Sequence, residues 1–138
     1  MYCPRAIFVV LSAFLTTGAS ANEFSHVSGL WAIDNKNENY CKEYADGTLE
    51  RRDRAAASAS GLVQISESDL EWMHTNARCQ IKRIEGRRPR FTLNANCEFK
   101  LDSYKNTTIT IVTTGINAMT MSFHNQFKKT MSYVKCGG

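Results

Sequence analysis

The chain has 138 residues, 43% of them apolar, with 17 Lys and Arg against 13 Asp and Glu. That length suits one domain, and a formal charge of +4 is too mild for a strongly basic nucleic-acid binder. No composition break divides the chain into two units.

In chain order, Arg5 precedes an apolar run from Ala6 to Leu15, and small residues then end in Ala19-Ser20-Ala21. A basic start, a short apolar core and an A-x-A site are the three parts of a secretory signal peptide. The run falls short of the ~20 apolar residues a membrane-spanning helix needs. Residues 1–21 are therefore expected to be removed and residues 22–138 to work in the periplasm or outside the cell, not as an integral membrane protein. Loss of Cys3 leaves Cys41, Cys79, Cys97 and Cys136. An even number in a short exported chain reads as a disulfide framework. Zinc ligands come in close pairs, and no C-x-x-C pair exists here, so neither metal nor other cofactor is expected.

The segment "GLWAI" (29–33) reads as a first strand. Residues 34–60 are highly polar, end in an Ala/Ser stretch and read as a long loop, functional or mobile, with a weak helical signal at 42–44. Three short strands follow at "GLVQIS" (61–66), "LEWMH" (70–74) and "CQIKRI" (79–84). "RFTLNANC" (90–97) alternates strictly, with Phe91, Leu93, Ala95 and Cys97 on one face, the period of a half-buried strand. "TTITIVTT" (107–114) is β-branched, "GIN" (115–117) is a turn, and "AMTMSF" (118–123) and "TMSYVKC" (130–136) complete the set. Eight short strands with tight polar connections predict an all-β, antiparallel up-and-down meander closing into a small barrel with two disulfides. The inward rows, with Phe91, Leu93, Ile109, Ile111, Met119, Met121 and Phe123, are bulky enough to fill the lumen.

Two disulfide pairings remain open. A hairpin centred near Arg88 sets Cys79 opposite Cys97 and leaves Cys41 to Cys136. Strand ends in a meander equally allow Cys41–Cys79 with Cys97–Cys136.

Basic residues cluster at "RRDR" (51–54) and "KRIEGRRPR" (82–90). The second run straddles a turn and lacks the interleaved aromatics of a nucleic-acid surface, so it reads as a solvated hairpin tip. Arg87, Arg88 and Arg90 are candidate contacts for a protein or an anionic envelope component. Catalytic patterns are missing: His26, His74 and His124 form no H-x-x-x-H or H-E-x-x-H pair, and no G-x-S-x-G elbow occurs. Glu67 and Asp69 sit at a turn, where acidic residues serve the backbone. Asn106-Thr107-Thr108 is a glycosylation sequon, meaningful only in a eukaryotic source.

Gly29-x-Trp31 on the first strand resembles the G-x-W of lipocalins and related calycins. That resemblance implies a tryptophan plugging one barrel end with a basic residue packed over it, Lys135 first and Lys129 second. The order Trp31, Cys41, Trp72, Cys79, Cys97, Cys136 resembles small exported four-cysteine proteins of rhizobia-like bacteria, a likeness that implies no activity. "SGLW" with Cys41 ten residues on also resembles the periplasmic inhibitors of serralysin-type metalloproteases, which are eight-stranded barrels with one disulfide. The functional expectation is a non-enzymatic binding or inhibitor-type module engaging a protein or envelope partner, with a small-ligand carrier as the alternative.

Overall fold

The computed structural model describes residues 21–35, 40–45, 61–73, 77–99, 101–124 and 128–137. Residues 1–20 of the predicted signal segment 1–21, most of the 34–60 loop and His74 lie outside them. Eight strands form one closed antiparallel barrel in sequence order: β1 (Gly29–Ile33), β2 (Leu62–Ile65), β3 (Asp69–Trp72), β4 (Arg78–Arg87), β5 (Arg90–Phe99), β6 (Asp102–Gly115), β7 (Ala118–Phe123) and β8 (Thr130–Lys135). Closure comes from β8 against β1, with Trp31 opposite Lys135 and Ile33 opposite Tyr133. Closing the sheet satisfies the two edge strands that an open meander would expose.

Period-2 alternation drives the assembly. Along β5, Phe91, Leu93, Ala95 and Cys97 are buried while Thr92, Asn94 and Asn96 reach the surface. Their partners across the ladder, Ile109 and Ile111 on β6 and Met119 and Met121 on β7, continue the same inward layers. The two disulfides are Cys41–Cys136 and Cys79–Cys97. The second joins directly opposed residues of the β4–β5 hairpin inside the lumen.

Three elements differ from expectation. β6 starts at Asp102, not 107, because its polar first half is paired with β5 through an irregularity next to Asn106. Asn106 has φ 53°, a left-handed conformation that Asn tolerates better than most residues. Its backbone N–H donates to Asn96 Oδ1. The extra residue resets the alternation, so Tyr104 and Thr107 both share the inward face, opposite Cys97 and Ala95. β4 likewise runs on to Arg87 with no apolar alternation beyond Ile84, held by its ladder to β5. Finally, the 34–60 segment contains α2 (Tyr40–Ala45). Tyr40 packs with Ala32 and Leu62 on the outside of the barrel, beside Leu30, Val134 and the Cys41–Cys136 bridge. Gly61 makes room for it: a Cβ there would stand 3.1 Å from the Tyr40 ring.

Both barrel ends are filled. At the end where β1 begins, α1 (Ala21–Phe24) and the turn after it insert Phe24 and Val27. Phe24 meets Phe91 edge-on, with ring centroids 5.3 Å apart. At the other end, Trp72, Phe99, Tyr104 and Phe123 make aromatic contacts with centroids 5.6–6.1 Å apart. Such offset and edge-on pairs add modestly to the area they bury.

Tyr133 lies in the lumen and gives a pH-dependent test of the packing. Burial pushes its hydroxyl up to about 12, against the opposing pull of a hydrogen bond with Trp72. The unfolded chain releases this proton near about pH 10. From roughly pH 10 to 12 the folded state therefore holds a proton that the unfolded state has lost, and stability falls as pH rises. Across that window the loss is about 2–3 kcal/mol. Urea unfolding from pH 8 to 11.5 should show Tyr133→Phe losing stability less steeply than the wild type above pH 10. Parallel curves would show that the hydroxyl ionises freely in the folded protein.

Candidate functional site

The G-x-W residues are built into the closed end. Trp31 is buried, and its Nε1–H donates to the Val27 carbonyl at 2.7 Å, joining β1 to the N-terminal plug. Lys135 Nζ lies 5.6 Å from the Trp31 ring centroid and donates to the His26 carbonyl at 3.0 Å. Gly29, at φ +131°, leaves space for that lysine: a Cβ would come within 3.2 Å of Lys135 Cε. Lys129 is exposed, before β8 at the opposite end. This cluster is architectural, since its polar groups are directed at the protein's own backbone.

The other residues singled out in the sequence are dispersed. His26 contributes its carbonyl at the plug, while the ring of His124, following β7, shares a 2.9 Å hydrogen bond with Thr110. Asp69 accepts from the Ser68 hydroxyl at 2.7 Å and from both Nε and an outer nitrogen of Arg78. The Ser68 bond first, then Arg78, hold its carboxyl below the usual value. Asp69 thus stabilises the β2–β3 turn, and Glu67 beside it is exposed. Among the described residues no group of three or more His, Cys, Asp or Glu side chains could hold a metal ion. No helix among them is long and apolar enough to cross a membrane. Two disulfides fit an oxidising compartment, extracellular or periplasmic.

Arg87, Arg88 and Arg90 come together at the β4–β5 turn, all exposed. The turn contains a cis Arg88–Pro89 bond, and Thr113 N–H donates to the Pro89 carbonyl at 2.8 Å, seating it on β6. Along β4, Arg83 pairs with Glu85 at 3.1 Å and Lys82 donates to Gln80. The three turn arginines make no ion pair with any described residue. Of the predicted 34–60 loop, the described helix is committed to the barrel wall through Tyr40 and Cys41.

One feature escaped sequence reasoning. Beside the Asn106 irregularity, the outer wall carries a cleft of about 280 Å³ lined by Arg78, Gln80, Asn96, Glu98, Ser103 and Lys105. Cys97, only 1% exposed, and Tyr104 also line it. Only the register shift creates this depression, and a polar run such as "DSYKN" carries no periodic signal for it. Comparison of the chain with known protein families, with curated proteins and with solved structures finds no match.

Proposed function

We propose that residues 22–138 act as an exported, non-enzymatic binding module that engages a protein or anionic envelope partner from outside the barrel. The filled lumen carries this reading. A small-ligand site ordinarily needs a cavity of about 300–1,000 Å³, whereas Phe91, Leu93, Ile109, Ile111, Met119 and Met121 occupy the interior at 0–1% exposure. Function is then sought on the surface, where the β4–β5 turn presents Arg87, Arg88 and Arg90, whose guanidinium groups make no ion pair among the described residues. Arginine's planar five-donor head suits carboxylate, sulfate or phosphate groups, and a closed barrel holds the turn in a fixed position.

Affinity capture from envelope extract tests it. The wild type should retain a partner that an Arg87→Ala/Arg88→Ala/Arg90→Ala variant holds at least about tenfold less well, and added salt should weaken the wild-type complex. A partner retained equally by both proteins would place the site elsewhere. A native mass spectrum with a small molecule bound inside the barrel would favour the carrier reading.

A further inference from the structure

Among the described residues, the short β3 leaves part of the barrel wall without a neighbouring strand. β3 pairs with β4 only through Asp69–Glu71 against Arg78–Gln80, and the last backbone bond between them runs from Ile81 N–H to the Ser68 carbonyl at 2.7 Å. β4 continues for six more residues: Lys82 is the extra residue of a register shift, and Arg83 to Arg87 pair with β5. Among the described residues no backbone hydrogen bond reaches its other side. A two-residue turn makes Arg87 and Arg90 a hydrogen-bonded pair, and antiparallel ladders alternate. Ile84 and Gly86 therefore direct their N–H and C=O groups away from β5, along this free edge. Gly86 is exposed, and a glycine's exposed surface is backbone. No other residue fits there: φ is +95° and a Cβ would lie 2.5 Å from the Arg90 carbonyl oxygen.

We infer that the Lys82–Arg87 edge of β4 receives an extended acidic segment of a partner protein as an added strand. The inference rests on the hairpin being the partner-binding surface proposed above, and it supplies the mode of binding and the chemistry of the partner. Backbone ladders give affinity in strand addition, while alternate side chains give selectivity. Here residues 82–90 carry five cations, Lys82, Arg83, Arg87, Arg88 and Arg90, against Glu85, which Arg83 already engages. Arg83, Glu85 and Arg87 share the outer face of the strand, and half-buried Ile84 lies on the inner one. The matching segment alternates acidic residues outward with apolar residues laid beside Ile84. A second copy of this chain is a poor occupant, because edge-to-edge pairing would set the same arginines against one another, and like charges across a ladder repel.

The test uses the ¹⁵N-labelled, disulfide-intact protein and capped eight-residue peptides alternating Glu and Val. The Glu/Val peptide should shift the amide signals of Ile84 and Gly86 and slow their hydrogen exchange. A Lys/Val peptide should not bind. Methylating the peptide's backbone nitrogens on one edge leaves charge intact and removes the ladder donors, and should weaken binding at least about tenfold. Equal binding of the methylated peptide, or signal changes confined to Arg88 and Arg90, would overturn strand addition while leaving charge-based capture by the hairpin standing. No binding of the Glu/Val peptide at low salt would also overturn it. The capture experiment with the triple alanine variant reads the broader proposal separately, since it leaves the Ile84 and Gly86 edge in place.

Discussion

Trp31→Ala should remove a large share of the stability of the fold. Trp31 is the largest fully buried side chain, and truncating a buried tryptophan costs about 3–5 kcal/mol. A domain of this size has only about 5–15 kcal/mol in hand. The loss should appear as a fall in the urea midpoint of more than about 1 M with little change in slope. Two milder variants separate the contributions. Trp31→Phe keeps a ring in place but leaves the Val27 carbonyl without its 2.7 Å donor, a cost of about 1–3 kcal/mol. Lys135→Met keeps the aliphatic stem over the ring and removes the ammonium that binds the His26 carbonyl, a cost of about 0.5–2 kcal/mol. Because Lys135 packs on Trp31, the double variant Trp31→Ala/Lys135→Met should be less destabilised than the sum of its parts. A Trp31→Ala loss below about 1 kcal/mol would show that the plug is held by Phe24 and Val27 alone.

The pattern of what could be read beforehand has a physical basis. β5 was legible because its outward residues reach water while its inward ones do not, so polarity records position at every step. β7 was legible for the same reason, whereas the outer side of β1 is apolar because Tyr40 covers Ala32; the alignment of Met131, Tyr133 and Lys135 carries through to one inward row. The disulfide pairing was undetermined because it depends on register and strand order, quantities that alternation alone does not encode. The first half of β6 was hidden by the irregularity at Asn106, which inverts the facing of every residue before it. α2 was only faintly visible because six residues are too few for a 3.6-residue period; its place comes from Tyr40 docking beside Gly61. Phe24 and Val27 stand three residues apart, as neighbours on one helical turn do. That spacing, just after the expected cleavage site, is the signal in the sequence that marks the barrel plug. The surface cleft lies beside the register shift at Asn106 and the β4 edge comes from the shortness of β3; both become visible only when the register of neighbouring strands is known.

Mild reduction of the folded protein should open Cys41–Cys136 and spare Cys79–Cys97. Thiol–disulfide exchange requires an attacking thiolate to reach a sulfur. Cys41 and Cys136 are partly exposed on the outer wall, whereas Cys79 and Cys97 are 0% and 1% exposed within the lumen. The inner bridge becomes reachable only when the barrel opens, so its reduction should follow global unfolding. The outer bridge also carries the larger chain-entropy effect. It joins residues 95 apart in sequence and the inner one residues 18 apart, which the loop-closure relation converts to about 4.7 and about 3 kcal/mol. Losing the outer bridge while the lumen stays packed should lower the Tm by of order 10–20 °C and leave the strand signal in circular dichroism intact. Alkylation after a brief, dilute dithiothreitol treatment, followed by peptide mapping, reads the order directly: label should appear at Cys41 and Cys136 well before Cys79 and Cys97. Equal labelling rates at all four positions would mean that the barrel opens as readily as α2 detaches. The structure argues against that outcome, because α2 is held by Tyr40 and one disulfide, while the lumen is held by the layers that run from Trp31 to Phe123.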